Sequence, residues 1–246
     1  VCCILQDHRG FIWLGPKDGL TRYDGYRFRV FKHDAADPMS IGNNFIRVLY
    51  EDADGLIWIG TNVGVYIYNP ETENFRKFDV ATERGDVISR EVSSIKCDSS
   101  GDLWIGVNWQ GVFRYDRTDE SLELYEPVPG DTTSLSSVHV WDLCFGGDGN
   151  LWVGSQNGGL DRYDRETDRF VRHRLKGLSD VSRIVLDKQN QLLLGTMKDG
   201  LFSFNPYMGT CQPLLLDSGH KDLFVRAIFV RNSREVVVGT ENGIYI

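Results

Sequence analysis

The stretch Leu56-Ile57-Trp58-Ile59-Gly60 decides the fold of this 246-residue chain, because its pattern of a short apolar strand ending in glycine returns along the whole length. The six copies end at Gly15, Gly60, Gly106, Gly154, Gly195 and Gly239. The first four carry a tryptophan two residues before the glycine, and the last two carry Leu193 and Val237 there. Successive glycines are 41 to 48 residues apart. This period is too long for leucine-rich or ankyrin repeats and is typical of β-propeller blades.

Each copy lies among signals for four β-strands. In the second repeat, an apolar strand from Ile46 to Tyr50 ends at an acidic turn, and the tryptophan strand follows. A third, alternating strand opens at Gly64, and a short aromatic strand from Phe75 to Phe78 completes the unit. One such sheet cannot bury both of its faces, so neighbouring copies must cover each other. The sequence therefore predicts an all-β chain of four-stranded propeller blades, with the repeated tryptophans packed between blades.

Six blades are visible, and five of them are complete. We expect them at about residues 1–32, 45–79, 91–126, 138–175, 181–216 and 224–246. The chain opens on a first strand and stops after a third, so it holds no spare strand to close a ring. We therefore expect residues 1–246 to be a single propeller fragment from a longer array that forms a seven-bladed ring.

Composition restricts the class of partner. The formal net charge is −8 at pH 7 and the basic residues are scattered, which argues against a nucleic-acid ligand. No apolar run approaches the length of a membrane-spanning helix. The five cysteines lack the CxxC spacing of a metal site, and the five histidines show no paired spacing. We accordingly expect neither a metal nor a cofactor.

The repeated unit resembles a known family. The pattern Asp-x-x-Gly-x-Ile/Leu-Trp-Ile/Leu-Gly-Thr-x-x-Gly-Leu-x-x-Tyr-Asp, seen best at 52–69 and 7–24, resembles the two-component regulator propeller repeat. The opening at 4–26, followed by 37–44, is similar to the periplasmic sensor region of Bacteroides-type hybrid two-component systems. The resemblance implies a dimeric inner-membrane receptor with a histidine kinase and a response regulator, which senses oligosaccharides released from glycans. This segment would then be a periplasmic, ligand-sensing and non-catalytic propeller.

Two sets of residues are candidates for binding that ligand. The first is the loop Asn108, Trp109 and Gln110, because an exposed tryptophan between two amides suits stacking of a sugar ring. Packing of the tryptophan on a neighbouring loop would also explain it. The second set lies on first strands, which are expected to line the central channel. Its members are Arg47, Trp141, Asp142, Arg183 and Arg226. Pairing among these charged side chains is the alternative to ligand binding.

Two other functions remain open. One is a structural or dimerisation propeller within such a receptor. The other is a propeller lyase, because streptogramin-type lyases carry similar Asp-x-x-Gly-x-x-Trp repeats. Catalysis needs convergent acids, bases or metal ligands, and no GxSxG, HExxH or phosphate-loop motif occurs in the chain. We therefore expect this segment not to be an enzyme.

Overall fold

In a computed structural model, which describes residues 1–175, 178, 180–214 and 223–246, the chain consists of antiparallel β-sheets. It divides into two compact units, Val1–Leu124 and Tyr125–Ile246. Each unit contributes three consecutive sheets, which we number blade 1 to blade 6 in chain order. The predicted end of the fifth blade, at residue 216, lies outside the described residues.

The first unit holds blades 1 to 3, each a sheet of four strands in which every strand pairs with the next along the chain. The strands are β1 (Cys3–Gln6), β2 (Ile12–Gly15), β3 (Leu20–Tyr23) and β4 (Phe28–Phe31) in blade 1; β5 (Ile46–Glu51), β6 (Ile57–Thr61), β7 (Gly64–Asn69) and β8 (Asn74–Lys77) in blade 2; and β9 (Val92–Cys97), β10 (Leu103–Val107), β11 (Gly111–Asp116) and β12 (Ser121–Tyr125) in blade 3.

The second unit holds blades 4 and 5, with four strands each, and blade 6, with three. The strands are β13 (Val140–Phe145), β14 (Leu151–Ser155), β15 (Gly159–Asp164) and β16 (Arg169–His173) in blade 4; β17 (Arg183–Leu186), β18 (Leu192–Gly195), β19 (Leu201–Asn205) and β20 (Thr210–Leu214) in blade 5; and β21 (Val225–Val230), β22 (Val236–Thr240) and β23 (Gly243–Tyr245) in blade 6. The prediction of an all-β chain of propeller blades, five with four strands and one with three, is confirmed.

Within each unit, repeated tryptophans pack against the next blade, as predicted. Trp13 of blade 1 meets Tyr68 of blade 2 edge to face, with ring centroids 5.1 Å apart. Trp152 of blade 4 meets Phe204 of blade 5 in the same way at 5.4 Å. Because each of these rings is almost fully buried, each contributes about 1.5–3 kcal/mol or more of hydrophobic stabilisation.

An aspartate ahead of the tryptophan strand fixes the turn in blades 1 to 3. In blade 2, Asp52 Oδ1 accepts the N–H groups of Asp54 and Leu56. The other carboxylate oxygen, Oδ2, accepts the indole Nε1–H of Trp58 at 2.8 Å. We call this arrangement the Trp–Asp anchor. It recurs between Asp7 and Trp13 at 2.8 Å and between Asp98 and Trp104 at 3.0 Å.

Blade 4 lacks the anchor, because Gly146 stands where the other blades have the aspartate. The backbone of the turn is unchanged: the N–H of Gly149 donates to the carbonyl of Gly146 at 3.0 Å, as Gly55 donates to Asp52 at 3.0 Å. Only the acceptor side chain is missing. Trp152 Nε1 is consequently buried without a hydrogen-bond partner among the residues that the structure describes.

Candidate functional site

The predicted ligand-binding residues are divided between the two units. The first unit contains Arg47, Asn108, Trp109 and Gln110, and the second contains Trp141, Asp142, Arg183 and Arg226. Within each unit the first strands of successive blades are neighbours: β1 lies beside β5 and β5 beside β9, and β13 lies beside β17 and β17 beside β21. The predicted first-strand residues of the second unit thus lie on adjacent strands, whereas the first unit contains only Arg47.

Residues of the loop between β10 and β11 hydrogen-bond to the segment ahead of β9 and hold the loop in place. Asn108 donates its backbone N–H to the carbonyl of Glu91 at 2.8 Å. The side-chain amide of Gln110 accepts the N–H groups of Ser89 and Arg90 at 3.0 and 3.1 Å, and it donates to the carbonyl of Val87 at 3.0 Å. Gln110 therefore acts as a clamp between this loop and the segment ahead of β9.

Trp109 lies at the tip of the same loop, with 66% of its surface exposed. Its φ is 71°, in the left-handed region that bulky side chains rarely adopt. Such a conformation costs on the order of 1 kcal/mol or more, and it persists only where surrounding contacts enforce it. The clamp of Gln110 supplies those contacts. The result is a large aromatic surface held toward solvent on a fixed backbone.

Arg47 on β5 connects blade 2 to this loop through Glu91. Its guanidinium forms an ion pair with Glu91 at 2.6 Å and donates to Asn62 Oδ1 at 2.8 Å. It also covers the ring of Phe45, 4.8 Å from the ring centroid. Since the carbonyl of Glu91 accepts from Asn108, one chain of contacts joins Arg47 to the Trp109 loop. We call this surface of the first unit the Trp109 surface.

Glu91 was not predicted as a site residue. Its sequence neighbourhood, Ser89-Arg90-Glu91, resembles an ordinary solvated connection, and the pairing with Arg47 spans 44 positions. The position of Glu91 could have indicated this pairing. Residue 91 directly precedes β9, and β9 lies next to β5, the strand that carries Arg47.

In the second unit, Asp142 joins two neighbouring first strands. Its Oδ2 accepts the N–H of Ile184 on β17 at 3.0 Å, and its Oδ1 accepts the N–H of Leu143 at 2.9 Å. Arg183 donates to the carbonyls of Arg226 and Ser182 at 2.9 and 2.8 Å. These bonds give both side chains a role in holding β13, β17 and β21 together.

Arg226 and Trp141 both lie near the ring of Phe224. The guanidinium of Arg226 lies 4.0 Å from the ring centroid of Phe224 and forms an ion pair with Glu241. Trp141 contacts the same phenylalanine with ring centroids 6.3 Å apart. The indole nitrogen of Trp141 is buried and has no hydrogen-bond partner within the described part of the chain. Neither Phe224 nor Glu241 was predicted to contribute.

The structure gives no support for a metal centre in the residues it describes, since no group of three or more His, Cys, Asp or Glu side chains converges there. In the same residues, no helix is present that is long and apolar enough to cross a membrane.

Comparison with known proteins agrees with this architecture. Residues 40–63 and 134–157 match the family model described as two component regulator propeller. The two segments cover equivalent parts of blades 2 and 4, each from the serine that precedes the first strand to the loop after the tryptophan strand. No curated protein matches the chain by sequence.

Among solved structures, the chain is similar to the extracellular domain of BT3049 from B. thetaiotaomicron, described as a hybrid two component system. The two share 26% identity over 98% of this chain and 32% of the other, with a TM-score of 0.84. The extracellular domain of BT4673 from the same organism has the same fold, with 22% identity, coverage of 98% and 34%, and a TM-score of 0.82. The chain thus spans about a third of the length of these relatives.

A virginiamycin B lyase from Staphylococcus aureus shares the fold as well. Its identity to the chain is 13%, over 98% of this chain and 81% of the lyase, with a TM-score of 0.67. The chain is therefore similar in fold to a propeller enzyme and, with higher identity, to extracellular domains of hybrid two-component systems.

Proposed function

We propose that this chain is a ligand-sensing propeller in the periplasmic part of a hybrid two-component receptor, and that it binds a glycan-derived oligosaccharide without catalysing a reaction. The parent receptor would be an inner-membrane histidine kinase that works as a dimer. The similarity to two extracellular receptor domains supports the receptor context. The observation that carries the binding role is Trp109, which is exposed although its backbone is held in a strained conformation.

The Trp109 surface suits a sugar for physical reasons. The apolar face of a pyranose ring stacks on an indole, and the hydroxyl groups at its edge need polar partners. Arg47, Glu91 and Asn62 form a polar network connected to the tryptophan loop. Because Gln110 fixes the loop before any ligand arrives, little conformational entropy is lost on binding. Arg183, Arg226, Trp141 and Asp142 remain the proposed binding residues of the second unit.

Calorimetry with a panel of neutral and acidic oligosaccharides tests the proposal. We expect saturable binding of one class, and we expect Trp109→Ala to weaken it at least about tenfold because a stacking tryptophan contributes strongly to binding. Arg226→Ala tests the second unit in the same way. Tyr207→Ala is the matched control, since this aromatic is 67% exposed and lies in the turn before β20. Full affinity in Trp109→Ala would exclude the Trp109 surface, and a panel without binding would contradict direct sensing.

The second candidate function is a structural propeller that mediates dimerisation. It is favoured by the outermost strand of blade 1, where Phe28 and Val30 are exposed beside Tyr26, which is 94% exposed. β4 pairs only with β3 among the described strands, so its outer edge also presents backbone groups. Sedimentation of the chain and of Phe28→Asp distinguishes the roles. A dimer that dissociates in the variant, in a protein that binds no glycan, would support the structural function.

A further inference from the structure

Blade 4 differs from the other blades in its buried polar groups. Five buried side-chain atoms have no hydrogen-bond partner among the described residues, and all of them lie in this blade. They are Trp141 Nε1, Trp152 Nε1, Ser155 Oγ, Asp161 Oδ1 and His173 Nε2. Native proteins satisfy the great majority of such groups, because each unsatisfied one costs about 1–3 kcal/mol. A concentration of them in one repeat out of six marks blade 4 as specialised.

Asp161 is the charged member of this set, and it replaces an aromatic residue. The equivalent position of the third strand is Thr21 in blade 1 and is aromatic in the other blades, as Tyr66, Phe113, Phe202 and Tyr245. Asp161 is fully buried on β15. Its Oδ2 accepts the N–H of Ser136 at 2.9 Å and the hydroxyl of Ser136 at 2.5 Å. The carboxyl thus fastens the connection ahead of β13 to the middle of the sheet.

The equivalent pair in blade 2 differs from that of blade 4 at both positions. Tyr66 lies directly against Gly42, where a Cβ atom would overlap its ring. Gly42 and Ser136 occupy the same place in the two segments that match the family model. In blade 2 a glycine therefore packs against an aromatic ring at this place, whereas in blade 4 a serine hydrogen-bonds to a buried carboxylate.

The space around Asp161 is tightly filled. A Cβ atom on Gly158 would overlap the hydroxyl oxygens of both Ser136 and Ser155 and lie 3.0 Å from the Cβ of Ser137. The unpartnered hydroxyl of Ser155 is therefore close to the serine that binds Asp161. A proton on Asp161 would neutralise a charge that burial disfavours.

The electrostatic surroundings favour that proton. Burial raises the pKa of Asp161 to about 6, while the two hydrogen bonds from Ser136 and the charge of Arg172 on β16 oppose the rise. Arg172 is the charged group that acts on this carboxyl, and it also donates to the carbonyls of Asp131, Ser134 and Leu135 in the same connection. The residues facing Asp161 from β14 and from the connection are valine and serine, which do not titrate.

We propose that Asp161 makes blade 4 a proton-sensitive latch, in which ionisation of the buried carboxyl promotes release of residues 131–137 from β15 and protonation keeps them attached. The hydrogen bonds from Ser136 by themselves favour the carboxylate, but burial disfavours its charge more strongly, and release admits water to that charge. The folded-state pKa lies above the ordinary value of 3.8, so the stabilisation is complete below about pH 4. It is lost as the pH rises to about 6 and stays lost above that. The latch therefore holds most firmly in acid. This proposal does not depend on the sensing function.

Hydrogen exchange of the Ser136 amide tests the latch directly. From about pH 4 to pH 7 we expect its opening equilibrium, corrected for intrinsic exchange, to rise by up to about a hundredfold, because each pKa unit corresponds to tenfold. Asp161→Asn is nearly isosteric and does not titrate, so this opening should not change with pH in that variant. The matched control is Asp148→Asn, which removes an exposed carboxyl from the same blade and should leave the wild-type profile unchanged.

The titration of the Asp161 carboxyl can also be measured in the wild-type chain, without any substitution. Carboxyl ¹³C NMR of the wild-type chain should show Asp161 titrating near pH 6. Ser136→Ala removes a hydrogen bond that lowers this pKa, so the midpoint should move to higher pH. A wild-type exchange profile parallel to that of Asp161→Asn, or a carboxyl titrating near pH 4, would overturn the latch.

Discussion

Gly146→Asp should stabilise the chain by restoring the missing Trp–Asp anchor of blade 4. Gly146 does not have a left-handed backbone, so an aspartate fits its conformation. Its Cβ would lie 3.0 Å from Trp152 Nε1 and 2.8 Å from Asp148 Oδ1, the end of an exposed and flexible side chain. A partner for the buried indole N–H is worth about 1–3 kcal/mol, and loss of glycine from the unfolded chain adds about 0.4–1 kcal/mol. Movement of Asp148, a small shift of the Trp152 indole away from the added Cβ, and repulsion between the two carboxylates reduce this gain.

We expect a net gain of about 1–2 kcal/mol in the free energy of unfolding, which for a chain of this length raises Tm by about 3–6 °C. Thermal denaturation measures it, and exchange of the Trp152 indole proton reports the new bond. Gly146→Ala is the control, since it removes the glycine without supplying an acceptor. If Gly146→Asp were no more stable than Gly146→Ala, or if the indole proton exchanged equally fast in both, the assignment of the anchor would be refuted.

Two further substitutions test the packing and the loop. Gly60→Ala should lower the free energy of unfolding by about 1–3 kcal/mol, because its Cβ would overlap Val48 and lie 2.7 Å from Val92 Cγ1. Gly239→Ala, at the equivalent position of blade 6, meets nothing closer than 3.7 Å and should change it by less than about 0.5 kcal/mol in urea denaturation. Equal effects would contradict the packing argument. Gln110→Ala should speed amide exchange of Ser89 and Arg90 by about fivefold, since a typical hydrogen bond is worth about 1 kcal/mol. Gln189→Ala, which removes a surface amide in blade 5, should leave both amides unchanged. Unaltered exchange in Gln110→Ala would exclude the clamp.

The blades could be predicted from the sequence because every copy repeats its own turn and strand signals. β4 has the predicted bounds, Phe28–Phe31. A fourth strand was expected in blade 5, but its position was not predicted. Thr210–Leu214 lacks aromatic residues and contains Pro213, which an outermost strand tolerates because one side of its backbone needs no partner. In that case the neighbouring strand, and not local preference, decides the structure.

The site was less predictable for a physical reason. Trp109 stood out as a large apolar residue in a short loop, and the structure places it in solvent. Its supporting contacts depend on residues from different repeats, such as the ion pair between Arg47 and Glu91. A single sequence shows no periodicity for a contact that occurs once. The pairing of Ser136 with Asp161 was missed for the same reason, although the loss of an aromatic residue at 161 is visible when the repeats are aligned.

The Trp–Asp anchor places its donor and its acceptor six residues apart, inside one repeat. A duplication or deletion of one repeat in the gene therefore transfers or removes a whole anchor, and no partner is left behind in another blade. Because each anchor lies inside one repeat, the glycine at position 146 removes the anchor of blade 4 only, and the equivalent turns of blades 1 to 3 keep theirs. A repeat can therefore lack its anchor, as blade 4 does, without removing an anchor from any other repeat.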